Sequence, residues 1–104
     1  MRFDKPVFFQ LNTPGAYDAS TGDYGEATVA ETMKRANVTD AGVETLKLLY
    51  GSLKQGVQVI RLQTHYNEAF DNIRIGSKVY HVDFERKLER LHVFVASEVQ
   101  RGKN

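Results

Sequence analysis

Two residues, Gly76-Ser77, separate the alternating runs Asp71–Ile75 and Lys78–Phe84, and this is the feature that most narrows what the chain can become. A two-residue loop fixes the register of the hairpin it closes. It sets Ile75 opposite Lys78, Ile73 opposite Tyr80 and Asp71 opposite Val82. Ile73, Ile75, Tyr80, Val82 and Phe84 therefore share one face, and His81 lies opposite Asn72 on the other.

The same period-2 alternation recurs along the chain. Val7, Phe9 and Leu11 alternate with Phe8 and Gln10 in a first strand. Thr13 to Glu26 holds Pro14, Gly15, Gly22 and Gly25 among Asp, Ser and Thr, a dense set of turn residues that reads as one long loop. Ala27 to Val38 reads as a strand whose apolar phase slips, with a bend or bulge expected near Lys34 and Arg35. Asp40 is placed to cap a short helix, in which Val43, Leu46 and Tyr50 recur at helical spacing before Gly51 stops it. Val57, Val59, Ile60, Leu62 and Tyr66 change phase between Val59 and Ile60, which implies either a bulge or burial on both faces. In the last strand Leu91, Val93, Val95 and Val99 alternate with Arg90, His92, Phe94 and Glu98, placing His92 and Phe94 outward.

Six short strands, one short helix and mostly tight connections favour a mainly β fold, a small antiparallel β-barrel, since closure removes the exposed edges of an open sheet. At 104 residues the chain is expected to be a single domain, 1–104, with a structured core over 7–99, the long loop at 13–26 and a flexible tail at 100–104. The scaling of accessible surface lets a chain of this mass bury about 65% of its extended surface, so no covalent staple is needed.

The absence of cysteine excludes disulfides, iron–sulfur ligation, thiol nucleophiles and thiolate zinc sites. The apolar run Val7–Phe9 is too short for a secretory h-region or a membrane span, so a protein made and used without export is expected. The formal charge of +1 is too balanced for a strong nucleic-acid-binding field. It is unevenly spread: Met1 to Met33 has two basic and five acidic residues, and the remainder has twelve and eight.

Catalytic constellations are not found. His65, His81 and His92 fall on three expected strands but lack metal-ligand spacing, and they read as solvated strand histidines. Asp83 and Glu85 are flanked by Arg86, Lys87 and Arg90, which reads as an ion-pairing surface. No serine sits in a nucleophile-elbow context, and Thr21-Gly22-Asp23-Tyr24-Gly25 precedes a strand where a phosphate loop would precede a helix. No cofactor and no small-molecule substrate are expected. Phe8, Tyr80 and Phe94 are candidate platforms for single-stranded nucleic acid, the alternative function for a small barrel. Outward Phe8, Val79 and Phe94 would otherwise be buried against a neighbouring subunit.

The order of these elements, with the Phe-bearing first strand, the Thr21-Gly22-Asp23-Tyr24 loop, the strand leading into a helix, the hairpin Ile73-Arg74-Ile75-Gly76-Ser77-Lys78-Val79-Tyr80-His81-Val82-Asp83 and the long last strand, resembles the head–tail joining proteins of long-tailed bacteriophages. The likeness extends over residues 7–99 and is greatest to the head-closure or stopper class, with the tail terminator a related alternative. It implies a non-enzymatic ring component of the virion, assembled in the host cytoplasm, whose partners are copies of itself, portal or adaptor proteins, and tail proteins. Packaged DNA would pass through or be retained without specific binding. A ring needs two complementary surfaces per subunit. The candidate contacts are Phe8, Tyr17, Tyr24, Glu31, Arg35, Arg74, Val79 and Phe94.

Overall fold

The computed structural model describes residues 2–15, 17–25, 27–52 and 54–99, without the side chains of Asp18 and Tyr24. The expected tail at 100–104 lies outside the described residues. Eight strands and one helix follow one another as β1 (Lys5–Thr13), β2 (Tyr17–Asp18), β3 (Asp23–Tyr24), β4 (Thr28–Asp40), α1 (Val43–Tyr50), β5 (Val57–Leu62), β6 (Asn72–Ile75), β7 (Lys78–Lys87) and β8 (His92–Glu98). Six of them close an antiparallel barrel in the order β1-β4-β5-β8-β7-β6. The β6–β7 hairpin has the register its turn dictates, Ile73 against Tyr80 and Ile75 against Lys78. Gly76 supplies the positive φ of 60° that this two-residue turn requires.

The barrel is filled by Val7, Phe9, Ala36, Ile60, Leu62, Tyr66, Ile73, Tyr80, Phe94 and Ala96. Phe9 organises this core. Tyr66 stacks on it with ring centroids 3.9 Å apart, while Phe70 and Phe94 meet it edge-on at 5.0 and 5.5 Å. Tyr66 and Phe70 belong to the segment between β5 and β6, which folds inward as a plug. A second, smaller apolar layer lies outside the barrel, where Leu46 of α1 packs on Val57, Val59 and Val95 with Leu49, Tyr50 and Val93 around them. The phase change in β5 is thus burial on both faces: Val57 and Val59 meet the helix, and Ile60 and Leu62 meet the barrel core.

Several sequence expectations are corrected. The stretch 13–26 is not a plain loop. β1 and β4 stay paired out to Thr13 opposite Thr28, and β2 pairs with β3 beyond them, Tyr17 opposite Tyr24 and Asp18 opposite Asp23. The result is a two-stranded arm projecting from the barrel. It helps give extents of 55 × 32 × 21 Å and a radius of gyration of 16.2 Å, against about 13 Å for a compact chain of this length.

The bulge expected at Lys34 and Arg35 is absent, because β4 keeps an unbroken register with β1 from Thr28 to Ala36. Its apparent slip has another cause: Val29 and Met33 are exposed on the outer face, whereas Ala36 is buried and Val38 packs against the core. Asp40 does not cap α1. It ends β4 and accepts a hydrogen bond from Gln58, and Gly42 occupies the N-cap without a side-chain bond. Gly51 closes the helix as expected, in the left-handed region at φ 76°.

Two expectations about side-chain direction fail for related reasons. β7 and β8 pair as Val82 with Ala96 and then Phe84 with Val95, so Asp83 is a bulge residue. The bulge turns Phe84 out of the barrel to meet Tyr50 edge-on at 5.5 Å. β8 faces the opposite way from the expected alternation. Phe94 and His92 are fully buried in the barrel, and Val93 and Val95 face the helix. Both faces of that strand are covered, so alternation alone does not say which is inside.

Candidate functional site

The outer face of β4, β1, β6 and the start of β7 lies away from α1, which packs on β5, β8 and the second half of β7. Strand pairing lines up Met33, Phe8, Arg74 and Val79 across it in one transverse row. Arg74 lies at its centre. Its guanidinium carbon is 4.1 Å from the centroid of the Phe8 ring, its Nε and Nη2 donate to the two carboxylate oxygens of Glu31 at 2.7 and 3.0 Å, and its Nη1 donates to the Gly76 carbonyl at 2.6 Å. Gln10 adds a fourth contact, donating to Glu31 Oε2 at 2.8 Å. The Arg74 bonds first, then that from Gln10, hold the Glu31 carboxyl at about 2. The paired carboxylate in turn raises the Arg74 pKa.

A two-pronged, stacked arginine is held in place far better than a lysine would be. The surface is consequently pre-shaped: a flat apolar stripe carrying one fixed ion pair. Arg35 lies on the same side of β4, opposite Pro6, and makes no ion pair among the described residues.

Of the eight candidate contacts, Phe8, Glu31, Arg35, Arg74 and Val79 come together on this face. Tyr17 is apart from them, on the arm, with 58% of its surface exposed. Tyr24 is opposite it in the β2–β3 pair, and its side chain is outside the described atoms. Phe94 is not a surface residue, since its exposure is 0%.

The ion-pairing surface expected around Asp83 and Glu85 does not form among the described residues. Asp83 and Glu85 do not meet Arg86, Lys87 or Arg90, because the bulge parts them. Asp83 accepts the Tyr50 hydroxyl at 2.6 Å and contacts His81 Nδ1 at 3.2 Å. Burial pushes its carboxyl upward, but bonds from Tyr50, Ser97 and His81 together outweigh that and hold it below the usual range. Tyr50 moves the other way, raised by burial and by the carboxylate beside it. Glu85 instead meets His92. The buried His92 accepts the Tyr66 backbone N–H at Nδ1, 3.0 Å away, which leaves Nε2 as the N–H that donates to Glu85. This histidine pins the plug segment to β8. His65 is not on a strand; it follows β5 and donates from Nε2 to the Leu88 carbonyl.

No group of three or more His, Cys, Asp or Glu side chains is placed to hold a metal among the described residues, and no helix among them is long and apolar enough to cross a membrane. No family model, curated protein or solved structure gives a significant match to the chain.

One surface was missed from the sequence altogether. Beside α1, an apolar groove of about 440 Å³ is lined by Leu49, Phe84, Glu85, Arg86, Leu88, Val93 and Val95. The Asp83 bulge creates it by swinging Phe84 outward, and no local residue pattern announces a one-residue slip in β7.

Proposed function

We propose that the chain is a structural component of a phage or prophage particle, a head–tail joining protein of the head-closure type that assembles as a ring between the portal or adaptor and the tail. The observation that carries this reading is the bare outer face, where Met33, Phe8, Arg74 and Val79 form a stripe with a fixed Arg74–Glu31 pair. Exposed apolar groups held in a rigid polar frame suit contact with another protein. The projecting arm supplies reach, and a closed barrel supplies a body that does not deform under it. With formal charge +1, such a subunit gives DNA little to grip, which suits a conduit. The protein would act in the virion, after assembly in the host cytoplasm.

The nucleic-acid alternative is less well supported. Two of its three platforms, Tyr80 and Phe94, are in the barrel core, and the ring of Phe8 is covered by Arg74. Stacking of bases needs open aromatic faces. A tail-terminator role would use the same surfaces, and it is separated from head closure by which particles form.

The test is the particle made without this protein. Full heads that leak DNA or lack tails are the expected result. Tails left untrimmed in length on intact, closed heads would assign the terminator role, and normal virions would refute both.

A further inference from the structure

We infer that the arm of one copy seats in the groove beside α1 of the next, a head-to-tail contact that places Tyr17 and Asp23 against Leu49, Phe84, Leu88 and Val93, near Arg86. This deepens the ring reading proposed above and rests on it.

The arm is a structure in want of a neighbour. Past the barrel rim its two strands pair, among the described residues, with each other alone, and a two-stranded hairpin in water is marginal by itself. It still presents large apolar side chains, with Leu11 38%, Val29 54% and Tyr17 58% exposed. The groove has the converse shape. Phe84 and Leu88 stand open on its walls at 39% and 38% exposure over the apolar floor of Val93 and Val95. A metabolite would need several convergent polar groups to fix its orientation, but of the two charged residues there, Glu85 is already committed to His92. A polypeptide with apolar side chains is the better occupant.

Charge selects which polypeptide. Between Lys5 and Lys34 there is no lysine or arginine, while Asp18, Asp23, Glu26 and Glu31 are acidic, and Glu31 is held by Arg74. On the groove, Arg86 makes no ion pair among the described residues, whereas Lys87, at the end of β7, is turned away and donates to Asn67. An acidic arm and the uncommitted Arg86 on the groove wall are electrostatically matched.

Placement then decides between docking within one copy and docking between copies. In the closed order β1-β4-β5-β8-β7-β6, the arm strands β1 and β4 stand diametrically across from the groove strands β8 and β7. The arm therefore projects from the wall facing away from its own groove. Donor and acceptor on opposite walls give a heterologous contact, the kind that builds rings when the rotation closes.

The experiment uses two variants of the full chain. In one, residues 14–25 are replaced by Asn-Gly, which removes the arm tip. In the other, Leu88→Glu puts a charge into the groove. Near-UV circular dichroism checks that each keeps the barrel. By analytical ultracentrifugation, each alone should associate about tenfold or more weakly than the unaltered chain, whereas an equimolar mixture should form a one-to-one dimer and stop, because only one arm and one groove remain.

Because the chain has no cysteine, Asp23→Cys and Leu88→Cys proteins offer an independent readout. Oxidised together they should give the mixed disulfide in excess over either homodimer. Variants that assemble like the unaltered chain, or a mixture with no dimer and no preferred mixed disulfide, would overturn the arm-in-groove contact and leave the ring reading to the particle test. An unaltered chain that remains monomeric up to about 1 mM, where even weak contacts register, would overturn it as well.

Discussion

The two walls of this barrel are made of similar strands and end in different chemistry. On the β5–β8 wall both faces are apolar: Ile60, Leu62, Phe94 and Ala96 look inward, and Val57, Val59 and Val95 look outward beneath Leu46 of α1. On the β4–β1–β6 wall the inner face is apolar and the outer one is mixed, with Phe8 and Met33 set among Gln10, Glu31, Arg35 and Arg74. The covered wall gains its stability from packing. The bare wall holds its outer side chains with directed bonds instead, and those bonds leave the apolar edges of Phe8, Met33 and Val79 facing outward.

Two phenylalanines test that difference most severely. Phe94 is at 0% exposure among Phe9, Phe70 and His92, so Phe94→Ala opens a cavity that close-packed neighbours cannot fill. The expected loss is about 3–5 kcal/mol, a large part of the roughly 5–15 kcal/mol that holds a domain folded. Phe8→Ala on the bare wall should cost less than about 1 kcal/mol, as outer-face substitutions away from a core do. Urea denaturation of the two variants measures both. Equal losses would mean that the outer face is structural after all.

Leu46→Ala asks whether the covering helix is part of the barrel's cooperative unit. The side chain is 8% exposed and anchors α1 to Val57, Val59 and Val95. The expected cost is about 2–3 kcal/mol, near the lower end for buried leucine because this outer layer is small. An eight-residue helix has no independent stability. Amide exchange in α1 should accordingly accelerate ahead of exchange in β5 and β8. Uniform acceleration of all three would show that helix and barrel unfold together.

The contrast between the walls also explains what the sequence revealed. Where one face meets solvent, alternation survives and was legible: Val7 and Phe9 inward with Phe8 outward, and Ile73 opposite Tyr80 by the Gly76-Ser77 turn. Barrel closure, one helix and the stop at Gly51 followed from such local signals. Where both faces are covered, alternation carries no direction, and Phe94 and His92 were placed outside when they fill the core.

A bulge leaves no compositional trace either, so Phe84, the parting of Asp83 from Glu85, and the groove they create were all hidden. The arm was hidden for the opposite reason. Its tip is rich in turn residues, and its strands bury too little to leave a pattern. Five of the eight candidate contacts nevertheless share one face: Phe8, Arg74 and Val79 lie outward on strands whose alternation is plain, and Glu31 and Arg35 join them because β4 keeps an unbroken register with β1, without the bulge expected there.

The smallest expected effect concerns the ion pair on the bare wall, and its sign follows from linkage. Glu31 titrates at about 2 in the fold against an ordinary 4.5. Its contribution is therefore fully present above about pH 4.5 and is lost as the pH falls through about 2, where the folded carboxylate takes up its proton. Arg74 stays charged throughout, since its pKa is raised further from an already high value. Glu31→Gln should flatten the fall in stability between those two limits and leave stability at neutral pH little changed, because exposed pairs contribute modestly.

Asp83 on the covered wall is also held low and loses its contribution in the same direction, so the Glu31→Gln chain should retain some acid sensitivity. Salt separates the two. Raising the ionic strength should shrink the difference between Glu31→Gln and the unaltered chain, because the bare-wall pair is open to screening. It should leave the part due to Asp83 largely in place, because that carboxylate is satisfied by the short bond from Tyr50 within a partly buried cluster. Acid denaturation curves at low and high salt would measure both parts, and a Glu31 effect indifferent to salt would show that the pair acts through geometry, by holding Arg74 flat on Phe8, more than through charge.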